Sequence, residues 1–318
     1  MDDSRRQARY SADAPVDRAL GPAADPAAAT PGDPAAATAA DVPSDPTLAE
    51  FIARVWAHYD REGRDLPWRR TADPYRVLIS EVMLQQTQVA RVIPKYEAFL
   101  AAFPTVEALA DAPLETLLGV WRGLGYNRRA IALRRAAGTI VEQHGGRVPD
   151  TLEALVALPG IGHATAAQVL AFAYNIGVPF IETNVRSVYL HEFFTDAEGV
   201  PDALILPLVE ATLDHDRPRE WFWALMDYGT HLKASLSNPS RRSAHHTRQS
   251  RFEGSNRQLR GRLLAELRRP AGVTGAGGAR PGDLARAAGF DSARVQAALA
   301  ALQSEGFVVC EEGRWRIG

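Results

Sequence analysis

Two short segments carry the residues whose types and spacing could do chemistry. The first is Leu158-Pro159-Gly160-Ile161-Gly162-His163-Ala164-Thr165-Ala166, which predicts a tight turn between two helices. A helix that begins at such a turn points free N–H groups outward, and these suit a phosphate. The second is Phe180-Ile181-Glu182-Thr183-Asn184-Val185, which places one carboxylate and one amide at the start of another helix. A phosphate-binding turn followed by a carboxylate is what an enzyme acting on a DNA nucleotide requires.

The length and composition allow two globular domains and a tail. The chain has 318 residues, of which 46% are apolar, and this is enough to form real cores. It contains no apolar run near the roughly 20 residues of a membrane helix, and its start lacks the apolar core of a signal peptide. The one cysteine, Cys310, excludes an internal disulfide framework and a cluster held by several thiolates. We therefore expect a cytoplasmic, nucleoid-associated protein that does not contact a membrane.

Charge is distributed unevenly along the chain. The net charge is −2, but residues 1–46 contain eight Asp and four Arg, so the remainder carries a charge of +2. Seven arginines and one acid, Glu253, lie within residues 241–262, and such a stripe is typical of a surface that neutralises phosphates. A solvated loop is the alternative. The arginines that we predict to contact a DNA backbone are Arg241, Arg242, Arg248 and Arg251.

Helical periodicity dominates the first part of the chain. Residues 1–46 are mostly Ala, Pro, Asp and Ser, which predicts a disordered tail. Residues 47–255 predict an all-α domain, because apolar residues recur at helical spacing and strand-like alternation is absent. Within this domain we expect Asp73 to cap one helix and Thr87 to cap the next.

The last residues, 256–318, have a different pattern. One amphipathic helix is followed by a helix–turn–helix, and then by two short strands joined by Glu312-Gly313. Three helices with a terminal small β-hairpin predict a winged-helix-like module. Such a module binds DNA through its second helix or serves as a protein contact, and the sequence leaves both possibilities open.

Several motifs together resemble a known family. The chain resembles the adenine DNA glycosylases (MutY-like), a branch of the helix-hairpin-helix DNA glycosylase superfamily that also contains endonuclease III. The resemblance runs from about residue 48 to 232, and Glu81-Val82-Met83-Leu84-Gln85-Gln86-Thr87 is its most specific part. The other motifs that carry it are Leu66-Pro67-Trp68-Arg69, Gly123-Leu124-Gly125-Tyr126, Leu158-Pro159-Gly160-Ile161-Gly162 and Asn184-Val185.

The chain departs from this family at three points. An aspartate occupies the position of Glu182 in the family. The resemblance also implies four cysteines that bind an iron–sulfur cluster, but the corresponding positions hold Lys233, Ser240, Ser243 and Gln249, so we expect the cluster to be absent. The family's C-terminal domain that senses oxidised guanine is replaced by the winged-helix-like module. These differences indicate a clusterless side branch whose substrate choice the sequence does not define.

Cleavage of an N-glycosidic bond requires that the base gains a proton and that the positive charge on the sugar is stabilised. Glu81 lies among apolar residues of a helix, so burial would raise its pKa and make it the proton donor. Glu182 would face the sugar, stabilising its cation or activating water, and Asn184 would orient the sugar or the water. The alternatives are that Glu81 is an ordinary acid near a helix N-terminus and that Glu182 is only a capping acid.

Further residues are predicted to contact DNA because they match family positions. Gln86 and Tyr126 would fill the space that a flipped-out base leaves, although Tyr126 could equally be a core tyrosine. Trp68 and Arg69 would line the pocket, with ordinary packing and a surface salt bridge as their alternatives. The phosphate contacts are assigned to the backbone or hydroxyl groups of Gly160, Gly162 and Thr165, which would hold DNA without reading its sequence.

These observations lead to two hypotheses. The first is a monomeric, monofunctional DNA glycosylase that removes a damaged or mispaired base, such as adenine or another purine, from double-stranded DNA. Bifunctional relatives carry a lysine after the hairpin glycines, whereas this chain has Ala164 there. The second hypothesis is a non-catalytic protein that binds damaged DNA or a DNA structure and has kept the fold. We expect no metal, because the spacing of His231, His245 and His246 fits no zinc pattern.

Overall fold

The protein is mostly helical, as the sequence predicts. The computed structural model describes residues 45–246, 251–269 and 278–318, and the predicted tail up to residue 44 lies outside this part. None of the helices in the described ranges is both long and apolar enough to cross a membrane. The helices are α1 (Asp45–Glu62), α2 (Pro74–Leu84), α3 (Val89–Ala102), α4 (Val106–Ala110), α5 (Leu114–Val120), α6 (Arg128–His144), α7 (Leu152–Val156), α8 (His163–Val169), α9 (Thr183–Phe193), α10 (Asp202–Ala211), α11 (Pro218–Ser235), α12 (Asn256–Leu267), α13 (Pro281–Ala288) and α14 (Ser292–Ser304), and the strands are β1 (Val308–Glu311) and β2 (Arg314–Ile317).

The helix ends are defined by local side-chain chemistry. Asp73 caps α2, since its Oδ1 accepts hydrogen bonds from the backbone N–H groups of Tyr75 at 2.9 Å and Arg76 at 3.2 Å. Gly145 ends α6 with a left-handed backbone, φ 59°. The predicted cap at Thr87 is wrong: α3 begins at Val89 without a side-chain cap. The Thr87 hydroxyl instead accepts a hydrogen bond from Arg129, a distant residue that the sequence pattern could not indicate.

Described residues up to Glu81, together with 149–157 and 161–246, form one compact unit. Helices α1 and α9 both pack against α11. Aromatic rings fill the space between these helices: the Phe51 ring lies 5.3 Å from Tyr189 and 6.2 Å from Trp221 between centroids. These side chains are fully buried, and burial of large rings is the main stabilising contribution to such a core. This packing holds the start of α9 next to the C-terminal half of α11.

The second compact unit comprises residues 82–148, 158–160 and the described residues from 251 to 318. Helices α12, α13 and α14 pack on one another, and a two-stranded antiparallel sheet pairs Val308 with Ile317. Its turn, Glu312-Gly313, has positive φ at both residues, as a two-residue hairpin turn requires. The helices and hairpin agree with the predicted winged-helix-like module. This module shares one unit with residues 82–148, and the predicted domain boundaries stay a prediction.

Candidate functional site

The central candidate of the first unit is the carboxyl group of Glu81 on α2. Its side chain is buried, at 6% exposure, among Leu78, Ile79 and Val82. Burial is the main reason that the pKa of Glu81 rises to about 8, and the negative charge of Glu182 raises it further, whereas Arg69 opposes the shift. A carboxylic acid with such a pKa is mostly protonated at neutral pH and is therefore able to donate a proton.

The guanidinium of Arg69 is held by a buried aspartate that the sequence analysis did not single out. Arg69 donates two hydrogen bonds of 2.8 Å to the carboxylate of Asp227 on α11. Arg64 donates to the same carboxylate through its backbone N–H at 2.8 Å and its Nε at 2.6 Å. Burial alone would raise the pKa of Asp227, but the two arginines hold it below its usual value. The alternative of a surface salt bridge for Arg69 does not describe this pair, because both side chains are buried.

Glu182 lies at the N-terminus of α9 and caps this helix. Its Oε1 accepts hydrogen bonds from the backbone N–H groups of Asn184 at 2.7 Å and Val185 at 2.9 Å. Its Oε2 accepts a third hydrogen bond, 3.0 Å long, from the side-chain amide of Asn184. The longer glutamate arm therefore folds back onto the helix end. Capping and a catalytic role are compatible here, since three N–H donors are complementary to a carboxylate that accepts and does not donate.

Gly229 on α11 allows the start of α9 to come close. A Cβ atom at this position would lie 2.4 Å from the backbone oxygen of Asn184 and 2.9 Å from its Cα, so only glycine fits without a shift of backbone. The next residue, Thr230, donates a hydrogen bond of 3.3 Å to the side-chain oxygen of Asn184. Helix α11 therefore fixes both the backbone and the amide of Asn184, which in turn holds Glu182.

One amine, that of Lys233, interacts electrostatically with this group. Burial lowers the pKa of Lys233, and the charge of Glu182 acts in the opposite direction. The predicted catalytic residues Glu81, Glu182 and Asn184 thus occupy one compact unit together with two cationic side chains. This arrangement pairs a protonated acid with a carboxylate whose amide and backbone partners fix its position.

In the second unit, Arg129 connects the two loops that carry Gln86 and Tyr126. These two residues were predicted to fill the space of a flipped-out base. The Nη1 of Arg129 donates to the backbone oxygens of Val82 at 2.7 Å and Met83 at 2.9 Å, and its Nη2 donates to Gly125 at 3.2 Å. The guanidinium is buried, and this desolvation lowers the pKa of Arg129 to about 10. A group with this pKa remains charged at neutral pH. Arg129 therefore ties the end of α2 to the loop that precedes α6.

Each of these loops presents a residue in an uncommon conformation. Gln86 has φ 54° and Tyr126 has φ 47°, which is the left-handed region that non-glycine side chains rarely occupy. Gln86 is exposed, and Tyr126 is half-buried rather than part of the core. Strained backbone of this kind persists only where the surroundings enforce it, and it concentrates at functional sites. The structure thus brings the predicted Gln86 and Tyr126 loops together through a residue that the sequence analysis missed.

The predicted hairpin glycines have different surroundings. Gly160 has φ 77°, and a Cβ there would lie 2.6 Å from the side chain of Ala132 on α6, so this glycine is required for packing. Gly162 is exposed and precedes α8, with open space where a Cβ would lie. Thr165 is buried, at 7% exposure, which gives its hydroxyl little access to a phosphate. The turn backbone is therefore the better candidate for the predicted contact.

The predicted basic stripe divides into different roles. Arg241 and Arg251 are exposed, whereas Arg248 lies outside the described residues. Arg242 binds the C-terminal end of α9: it donates to the backbone oxygens of Leu190 at 2.8 Å and Phe194 at 2.7 Å, and also to that of Thr195. Such contacts satisfy carbonyl groups that a helix end leaves without partners. This geometry assigns Arg242 a structural role that the sequence analysis did not foresee.

Trp68, predicted to line a pocket, is buried.

The positions that would carry cluster ligands in the family do not fit an iron–sulfur cluster. The chain contains one cysteine, and Cys310 lies on β1. Lys233 offers an amine, and the hydroxyl of Ser240 donates to Asn238 at 2.7 Å. Ser243 takes part in a short backbone pairing with Val200. A cluster of this type is held by thiolates, which this donor set does not supply.

Some of these residues left a signal in the sequence that could have been used. Asp227 is a single carboxylate in an otherwise apolar stretch of α11, and Gly229 is a glycine inside that same helix. A buried acid requires a cationic partner, and a helical glycine indicates close approach. Arg129 and Arg242 left no comparable signal, because arginines are frequent throughout this chain.

Comparison with known proteins places these observations in context. The HhH-GPD superfamily of base excision DNA repair proteins matches residues 79–205. The adenine DNA glycosylase of Mycolicibacterium smegmatis is 38% identical over 227 residues, which cover 66% of this chain and 78% of that protein. The adenine DNA glycosylase of Mycobacterium tuberculosis is 36% identical over 241 residues, covering 67% of this chain and 76% of that protein.

Solved structures show the same fold. A thermostable thymine-DNA glycosylase superposes with a TM-score of 0.55 at 24% identity and covers 63% of this chain and 94% of its own. An endonuclease III in a non-covalent DNA complex gives a TM-score of 0.50 at 18% identity, covering 58% of this chain. The helical architecture is therefore shared with these proteins.

Proposed function

Because the chain belongs to the HhH-GPD superfamily of base excision DNA repair proteins, among relatives that are adenine DNA glycosylases, we propose that it removes adenine from DNA by hydrolysis. The observation that carries this proposal is the buried Glu81, whose pKa of about 8 results from burial and from the nearby charge of Glu182. Two carboxyl groups in different environments divide the work of an acid and of an ionised stabiliser.

The reaction uses these groups in order. Glu81 donates its proton to a ring nitrogen of the adenine, and the C1′–N9 bond breaks with its electron pair passing to the base. The Glu182 carboxylate stabilises the positive charge that develops on the sugar. Water then adds to C1′ and loses a proton to the Glu81 carboxylate, which regains its initial state. The products are free adenine and an abasic site in an intact strand.

A monofunctional reaction is part of the proposal. A lyase would require an amine that attacks C1′, and the position after the hairpin glycines is Ala164. The amine that interacts electrostatically with Glu182 is that of Lys233. We expect borohydride to trap no covalent adduct between the protein and DNA. If an adduct forms, its loss in Lys233→Met would identify the amine and replace the monofunctional proposal.

The partner that we propose is double-stranded DNA with a mispaired or damaged base, bound by a monomer. The exposed arginines Arg241 and Arg251 favour contact with phosphates, and Gln86 and Tyr126 would fill the space of the extruded adenine. Gly162 and the turn before α8 would supply backbone N–H groups to a phosphate. A cytoplasmic, nucleoid-associated location is part of this proposal.

We also propose that the protein works without an iron–sulfur cluster. The support is the donor set at the corresponding positions, together with the contacts of Arg242 that hold the segment after α11 against the end of α9. Iron analysis and the visible absorption spectrum of freshly purified protein test this directly. A stoichiometric iron content would refute it.

The activity is tested by strand cleavage. Labelled duplexes carry adenine opposite 8-oxoguanine, adenine opposite guanine, uracil, hypoxanthine or an alkylated purine, and each is treated with alkali after incubation. Glu81→Gln and Glu182→Gln are compared with the wild type, and Glu210→Gln, which alters an exposed carboxylate on α10, is the control.

We expect alkali-dependent cleavage at adenine in the wild type and in the control, and loss of cleavage in both site variants. Tight binding without cleavage of any duplex would instead support the non-catalytic hypothesis. Cleavage of another duplex in the panel would keep the glycosylase and change its base.

A further inference from the structure

Phe252 is an exposed aromatic residue that has no role in the proposed catalytic reaction. Phe252 is 52% exposed, and the other large apolar residues that are exposed in the described ranges are aliphatic. Aromatic side chains elsewhere in these ranges pack mostly within the cores. An aromatic ring on the surface offers a flat apolar face on which an unpaired base can stack.

The turn that carries Phe252 is firmly held. The backbone N–H of Gly254, which has φ 74°, donates to the side chain of Gln258 at 2.8 Å. The amide of Gln258 donates to Glu253 at 2.9 Å, and Arg294 on α14 donates to the backbone oxygen of Gly254 at 2.8 Å. These contacts hold the backbone of the turn in one conformation, which reduces the entropy cost of binding.

The same turn leads into a contact with Tyr126. Arg257, in the first turn of α12, donates a hydrogen bond of 2.9 Å from Nη1 to the Tyr126 hydroxyl. Its guanidinium also lies 5.9 Å from the centre of the Tyr126 ring. The turn 251–255 therefore lies beside the loop whose residue 126 is held in a left-handed conformation, and both belong to one compact unit.

The charge around this turn is positive. Arg251 precedes Phe252 and is exposed, and Arg257 and Arg294 lie close to the turn, whereas Glu253 is the one acid within residues 251–257. An aromatic ring flanked by arginines is complementary to nucleic acid, because the ring stacks on a base while the cations neutralise phosphates. A protein partner would not require this excess of positive charge around the turn.

We propose that Phe252 is a DNA-stacking residue, which enters the duplex beside the Tyr126 loop and stacks on a base that has lost its neighbour or partner. Arg257 positions Tyr126 relative to this turn, and Arg251 contacts the adjacent phosphate. The inference rests on the proposed function for its substrate class, DNA with a disrupted base pair. It assigns to the turn 251–255, which comes directly before the winged-helix-like module, a direct contact with the damaged region.

The test measures binding and needs no catalysis. The full-length chain is titrated with a labelled duplex containing one tetrahydrofuran abasic analogue, and with the same duplex fully paired. The variants are Phe252→Ala, Phe252→Trp and, as a matched control, Leu236→Ala, which truncates a similarly exposed apolar side chain after α11. Thermal melting checks that each variant folds.

We expect Phe252→Ala to weaken binding of the abasic duplex by about tenfold, with little change for the paired duplex. Phe252→Trp and Leu236→Ala should bind as the wild type does. Unchanged affinity of Phe252→Ala, or an equal loss for both duplexes, would overturn the inference. Failure of this inference is distinct from failure of the proposed function. The proposed function would fail if the wild-type protein bound this duplex but cleaved no adenine substrate.

Discussion

Replacement of Glu81 by glutamine should stabilise the protein increasingly as pH rises. The pKa of Glu81 is about 8 in the folded protein, against an ordinary value of 4.5. Between these values the unfolded chain releases the proton while the folded protein keeps it, so raising the pH favours the unfolded state. Glutamine at this position preserves the side-chain shape and removes the titration.

The magnitude follows from the two pKa values. Each rise of one pH unit within this window lowers the contribution of Glu81 to the free energy of unfolding of the wild type by about 1.4 kcal/mol. From pH 5.5 to pH 7.5, the stability of Glu81→Gln minus that of the wild type should therefore increase by about 3 kcal/mol. Burying an amide instead of an acid also changes the stability, but by the same amount at both pH values, so it does not affect this increase.

Urea unfolding of both proteins at the two pH values measures this change directly. Glu210→Gln is the control, since its exposed carboxylate should give nearly the same stability difference at both pH values. The same stability difference at both pH values for Glu81→Gln would refute the argument that Glu81 is a buried acid with a raised pKa.

Three further predictions concern residues around the site. Gly229→Ala should lower the single-turnover rate of excision by about a hundredfold, because the added Cβ displaces the start of α9, whereas Gly261→Ala, with open space around its Cβ, should leave the rate unchanged. Arg242→Met should lower the melting temperature, because carbonyl groups at the end of α9 lose their donor. Arg251→Met, which alters an exposed arginine, should keep the melting temperature and reduce the salt slope of DNA binding by about one; the opposite result for the two variants would contradict the structural role of Arg242. Glu182→Gln should reduce the pH dependence of stability described above, because the charge of Glu182 raises the pKa of the buried acid; an unchanged pH dependence would show that burial alone sets this pKa.

Much of the local structure could be predicted because its causes lie in neighbouring residues. The cap at Asp73 and the hairpin turn at Glu312-Gly313 depend on side chains and backbone preferences within a few positions. Burial of Glu81 followed from its apolar helix neighbours. In these cases the interacting atoms are close in the chain, so the pattern contains the information.

The rest depends on contacts between distant segments. Arg69 and Asp227 are 158 positions apart, and no spacing rule connects them. Thr87 shows the same limit, since its expected role as a cap was replaced by a contact with Arg129, 42 positions away. The extra methylene of Glu182 indicated a change in geometry, but only the structure shows the carboxylate folded back onto the first turn of α9.

The most direct test of the central claim is single-turnover excision of adenine opposite 8-oxoguanine, measured from pH 6 to pH 10 for the wild type and Glu81→Gln. If Glu81 is the proton donor, the wild-type rate should be highest below its pKa of about 8 and fall about tenfold per pH unit above it. Glu81→Gln should be at least about a hundredfold slower at pH 6. A wild-type rate that rises through pH 8, or a Glu81→Gln rate close to that of the wild type, would contradict the assignment of Glu81 as the acid.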